Sequence, residues 1–202
     1  MTTNLHTHIH QPPSNGEMTM KNLLLLSTIT FASLLMAVSP AMSQDPENMV
    51  LVPRGEFIMG SQEHQDEHPH NVVVDAYYID KYEVSNKEYK DFMKATGHPA
   101  PAYWDDPRLS KPEQPVVGVN WYDGSAFCEW KGKRLPTEAD WERAAKGPDG
   151  NGHYPWGHTL DDTKANYGQN VGMTTAVDSY PSGVSGYGAY NMYGNVFEWV
   201  SD

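Results

Sequence analysis

The chain has 202 residues and carries 26 acidic against 14 basic side chains, a formal net charge of −12. That balance repels polyanions and argues against nucleic acid or anionic lipid as partners. With 39% hydrophobic and 11% aromatic residues, 17 Gly and 15 Pro, the composition excludes a helical bundle and fits one loop-rich globular domain, and six Trp spread along it argue against disorder.

The first 43 residues read as an extension followed by a leader. Lys21 precedes the apolar run Leu23 to Val38, and Ala41-Met42-Ser43 offers small residues for cleavage before Gln44. The run is short and interrupted by Ser and Thr, which favours a cleaved signal over a membrane helix and predicts no stable membrane insertion after cleavage. Met20 is the expected start, which leaves His6, His8 and His10 upstream of the natural protein. The address is periplasmic or secreted. In that setting Cys128, the only cysteine, excludes a disulfide within the chain. Three segments follow: 1–43 extension and signal, 44–48 linker, 49–202 domain.

In chain order, Met49 to Met59 alternates around Pro53-Arg54-Gly55 and reads as a β-hairpin arm. Ser61 to His70 is a polar loop with Glu63, His64, Asp66, Glu67, His68 and His70, read as solvated because no spacing there fixes a metal geometry. Asn71 to Asp80 is β-branched and aromatic, hence strand. Val84 to Thr96 is a helix opened by a Ser85/Glu88 capping box, with a Val84–Tyr89 staple and an inner stripe of Tyr89, Phe92 and Met93. A Pro-rich loop, 98–116, precedes a short strand from Val116 to Trp121 and a second helix capped by Asp123, with Ala126, Phe127 and Trp130 inward. Cys128 on that helix is expected to be buried and inert, since no activating neighbour is visible. The third helix starts at Thr137, answered by Asp140 three residues on, and presents Trp141, Ala144 and Ala145 on one face. Gly147-Pro148 ends it. A Gly-rich turn closes on Tyr154-Pro155-Trp156-Gly157, and a short strand is expected over Ala176 to Tyr180. Trp104, Tyr154, Trp156, Tyr187 and Tyr190 are expected mostly as packing, with a peptide or sugar groove as the other option. The fold class is α+β with low regular secondary-structure content.

The segment richest in chemistry is Asn191-Met192-Tyr193-Gly194-Asn195-Val196-Phe197-Glu198-Trp199. Asn191 and Glu198 offer side-chain oxygens, and Gly194 and Val196 offer carbonyls if the loop wraps. Hard oxygens on an irregular loop suit Ca²⁺, which accepts six to eight such ligands. The other option is a turn held by side-chain-to-backbone hydrogen bonds, with Glu198 capping or ion-paired.

The words MVLVPRGEFIMGS, WYDGSAFCEWKGKRLPTEADWERAAKG, PWG and AVDSYPSGVSGYGAYNMYGNVFEWVSD, in this order, closely resemble the formylglycine-generating enzyme, or sulfatase-modifying factor, family. The resemblance covers Met49 to Asp202. It implies a C-type-lectin-like fold, here incomplete at the C-terminus, and a structural calcium at Asn191, Gly194, Val196 and Glu198. A second family calcium corresponds to Asn166 and Tyr167, but the loop 169–175 that would complete it carries no acid. Oxidase members hold copper(I) with two cysteines after an RGGS-type motif, a segment this chain lacks. Copper is therefore expected only if a further C-terminal segment supplies a cysteine pair. The implied activity is oxidation of a Cys or Ser of an exported client protein to formylglycine. The alternative is a non-catalytic lectin-like binding or maturation module.

Overall fold

The computed structural model describes residues 3–4, 46–61, 68–150 and 152–202. The leader, the HTHIH tract and the acidic part of the 61–70 loop lie outside them. Among the described residues no helix is long and apolar enough to cross a membrane.

Strands β2 (Met49–Val52) and β3 (Gly55–Met59) do not pair with each other, contrary to the expected hairpin around Pro53. Instead β2 pairs antiparallel with β5 (Tyr77–Asp80), and β3 pairs antiparallel with β4 (His70–Val74). Both ladders share one register: Met49 faces Asp80, Val52 faces Tyr77, Gly55 faces Val74 and Met59 faces His70. The result is one long ribbon, interrupted where Pro53-Arg54 lies opposite Asp75-Ala76. The physical reason is turn chemistry. A tight two-residue hairpin needs positive φ at its centre, and the ring of Pro53 forbids that. The interruption also splits the single strand expected over Asn71 to Asp80. Across it the core-facing residues change parity, from Val50 and Val52 to Phe57 and Met59, so both halves keep their apolar side on one core.

That core combines Val52, Phe57, Val74, Tyr77 and Ile79 with Ala144 and Ala145 of α3 (Glu138–Lys146) and with Ala189 and Met192. The two alanines let α3 lie close to β3 and β4. Thr137 caps α3 as expected, its hydroxyl accepting from Asp140 N while Asp140 accepts from Thr137 N. A second core joins α1 (Asn86–Thr96) and α2 (Trp121–Trp130): Val84, Tyr89, Phe92, Val116, Val119, Phe127, Cys128 and Leu135. The Ser85/Glu88 capping box is complete, and Gly97 closes α1 in the left-handed conformation. Cys128 is buried and forms no disulfide among the described residues.

Two expected strands are irregular. Residues 116–120 form none, and Trp121 opens α2 instead, because Asn120 takes the cap position. Asp123 still serves the helix end, as the reciprocal partner of Asn120 rather than the cap itself. Residues 176–180 make a turn, Ser179 N donating to Ala176 O at 3.0 Å, while Val177 N donates to Glu113 O at 2.9 Å. Trp130 is 38% exposed, although its ring still packs on Phe92 and Phe127. The short β6 (Phe197–Glu198) runs parallel to the two-residue β1 (Thr3–Asn4).

Candidate functional site

Three residues in the stretch 191–195 have positive φ: Asn191 at 52°, Gly194 at 91° and Asn195 at 54°. Asn and Gly are the residues that enter this region at least cost, which explains why the word NMYGN curls rather than extends. Val196 N donates to Gly194 O at 2.7 Å, tightening the curl. The loop thus wraps, which is the condition for Gly194 and Val196 to present carbonyls on its concave side.

The wrapped loop is clamped onto residues 166–175. Asn195 N donates to Asn166 O at 2.7 Å. The Asn195 side-chain oxygen accepts from Thr175 N at 2.9 Å and from Asn166 Nδ2 at 3.2 Å. Gly194 sits so close that a Cβ there would lie 2.4 Å from Asn166 O, so no side chain fits. Asn191 is buried, and its amide nitrogen donates to Glu83 Oε2 at 2.8 Å and to Val177 O at 3.0 Å. Neither bond uses its oxygen. Glu198, half-buried on β6, accepts through Oε2 from the indole N–H of Trp141 on α3.

The structure therefore brings Asn191, Gly194, Val196 and Glu198 onto one short loop-and-strand segment. Among the described residues no group of three or more His, Cys, Asp or Glu side chains converges. The candidate set is one carboxylate with amide and carbonyl oxygens, a hard-oxygen set that calcium accepts. Asn166 and Tyr167 lie beside this loop, the Asn166 carbonyl accepting from Asn195 N. The Asn166 amide donates to Met173 O at 2.8 Å, and the Tyr167 carbonyl accepts from Asn170 N at 3.0 Å. These groups serve the turn and its junction with the 191–198 loop. Desolvation, then the carboxylates of Asp162 and Asp161, raises the Tyr167 phenol pKa.

Sequence reasoning missed Glu83, Asn195 and Trp141. An acid ending the apolar strand region YYIDKYE was the available signal for Glu83. The five aromatics all make packing contacts, and Tyr154 also lines a cavity: Tyr154 stacks on Trp156 at 5.6 Å with Tyr193 edge-on to both, Tyr190 packs on Tyr82, and Trp104 and Tyr187 flank the two cores. A cavity of about 480 Å³ opens beside the loop, walled by Trp141, Tyr154, Met192 and Tyr193 and edged by Glu142 and His153.

Comparison with known proteins fits this geometry. The sequence profile of the Sulfatase-modifying factor enzyme 1-like domain matches residues 36–202. The formylglycine-generating enzyme of Bos taurus is 34% identical over 78% of this chain, and that of Thermomonospora curvata is 32% identical over 77%. The serine/threonine-protein kinase pkn1 of Chlamydia pneumoniae is 38% identical over 76% of the chain. The chain spans 58% of the bovine protein, 71% of the Thermomonospora protein and 27% of the chlamydial one. Among solved structures, Treponema denticola variable protein 1 superposes with a TM-score of 0.60 at 24% identity, covering 75% of this chain and 71% of its own. That likeness bears on the fold, which is the mixed, loop-rich α+β architecture of the formylglycine-generating enzymes. The chain belongs to the sulfatase-modifying factor family, the family of the formylglycine-generating enzymes.

Proposed function

We propose that this chain is the calcium-holding scaffold of an exported formylglycine-generating protein whose client is a Cys- or Ser-bearing protein or peptide. The observation that carries the reading is the left-handed backbone at Asn191, Gly194 and Asn195, which curls the segment that also holds Val196 and Glu198. In this reading these residues hold a calcium ion whose chemistry is structural: it gathers oxygens from a loop that has little regular structure to stiffen it. Asn166 and Tyr167 serve as neighbours of that ion or hold a second one. The protein is placed in the periplasm or secreted, and neither nucleic acid nor membrane is a partner.

Oxidation at a copper(I) thiolate pair needs two cysteines, and Cys128 is the only one in these 202 residues, buried in the α1–α2 core. These 202 residues therefore do not hold such a pair. The chain as it stands, supplied with Cu(I), oxygen and a CxPxR peptide, is expected to yield no aldehyde by mass spectrometry, and any conversion overturns this assignment. A longer form carrying a cysteine pair is expected to convert the peptide. The aromatic-walled cavity beside the loop favours a second reading, a binding or maturation module without oxidase activity, and a longer form that binds the client but leaves it unmodified decides for it. A relative named inactive C-alpha-formylglycine-generating enzyme 2 of Mus musculus is 30% identical over 79% of this chain.

The calcium assignment has its own test. A ligand that binds only the native state at a hundred times its Kd stabilises it by about 2.7 kcal/mol. For a domain of this size that is a Tm rise of roughly 5–10 °C. Melts in calcium and in chelator are expected to differ by this order, and Glu198→Ala is expected to erase the difference. Coincident wild-type melts assign the loop to a plain hydrogen-bonded turn.

A further inference from the structure

Glu83 is fully buried in the link between β5 and α1, two residues ahead of the Ser85 cap. Its Oε2 accepts from the side-chain amides of Asn191 and Asn195, each at 2.8 Å. These two residues bracket the curl that contains Gly194, and they are 108 and 112 positions away in the chain. A carboxylate accepts hydrogen bonds and donates none, so it meets the amide nitrogen and rejects the amide oxygen of each Asn. Charge makes this preference stronger than a neutral acceptor would.

The consequence for Asn191 is directional. Its nitrogen is committed to Glu83 and to Val177 O, which leaves its oxygen as the amide atom available to a cation. A flipped amide would offer N–H groups instead, and N–H groups repel a cation. Asn195 is held by the same oxygen while its backbone N–H bonds Asn166 O, which fixes the peptides on either side of it, those that carry the Gly194 carbonyl and lead to Val196. We infer that Glu83 is the positioning residue of the calcium loop: it touches no ion itself, and it orients the amide of Asn191 and the turn at Asn195 so that their oxygens converge. The inference rests on the calcium reading above. Partners of this kind, one step back from the metal, change affinity by roughly 10- to 100-fold when removed.

The test is calorimetric titration of calcium into chelator-stripped protein, with urea unfolding in chelator measured alongside. E83A is expected to weaken calcium binding at least tenfold. E83Q is expected to stay within about threefold of wild type, because one glutamine oxygen can accept from both amides. Equal loss in E83A and E83Q means charge alone acts, and overturns the inference, as does wild-type affinity in E83A. N195D separates the two explanations even where E83A does not fold. It adds negative charge near the ion, so electrostatics alone tightens binding, whereas loss of the donor to Glu83 is expected to weaken it about tenfold. Tighter binding in N195D overturns the inference. A wild-type chain that binds no calcium removes the calcium loop and this role together, while wild-type binding with an indifferent E83A removes this role only.

Discussion

Gly194→Ala is expected to destabilise the protein by about 3 kcal/mol or more and to abolish calcium-dependent melting. Two costs add at this position. The residue has φ 91°, where an L side chain costs roughly 1–2 kcal/mol. The new Cβ would also lie 2.4 Å from the Asn166 carbonyl oxygen, which is backbone and cannot swing aside. The 191–195 loop must lift away, and the bond from Asn195 N to Asn166 O goes with it, a further loss of about 1 kcal/mol. The displaced loop also moves the Gly194 and Val196 carbonyls out of the positions the calcium reading needs. Urea unfolding in chelator measures the first effect, and melts with and without calcium measure the second. A variant within about 1 kcal/mol of wild type in chelator shows that the loop tolerates a side chain and that the contact is loose.

Phe127→Ala is expected to cost about 3–5 kcal/mol, the largest single effect of an ordinary side-chain truncation here. Phe127 is 1% exposed. Its ring stacks on Tyr89 at 5.7 Å, meets Phe92 edge-on at 5.5 Å and Trp130 at 5.8 Å, so its loss opens a void among rings that cannot collapse into it. Domains are held by roughly 5–15 kcal/mol in total, so much of the margin goes. The calcium increment in Tm is expected to survive, because Phe127 belongs to the α1–α2 core and Met192 of the loop to the other one. A Phe127→Ala protein that stays folded but loses its calcium response shows the two cores acting as one unit. Urea midpoints for wild type and variant, each with calcium and chelator, provide the full comparison.

Local features were legible in the amino-acid order. The Ser85/Glu88 and Thr137/Asp140 boxes involve partners three residues apart, and both form as read. Asn120 was missed because Asp123, also a good cap, stands three residues later in the same box. The wrap of segment 191–198 was legible only as a condition, and the left-handed backbone at Asn191, Gly194 and Asn195 appears in the structure. Pairing was not legible. Pro53-Arg54-Gly55 looks like a turn, yet the chain runs through it, because each flanking strand finds its partner about 15 to 30 residues away. Nor was Glu83, whose two amide donors come from the far end of the chain.

By itself the amino-acid order determined the mixed class, the starts of α1 and α3 and the burial of Cys128, because each depends on residue chemistry or on spacings within one turn of chain. The tertiary structure alone decided which strands pair, that the ribbon crosses Pro53 without folding back, and that a carboxylate before α1 grips the asparagines of the last loop. Those outcomes depend on burying one apolar face against another and on satisfying buried polar groups with whatever lies near in space, and neither demand specifies how far apart in the sequence the partners stand.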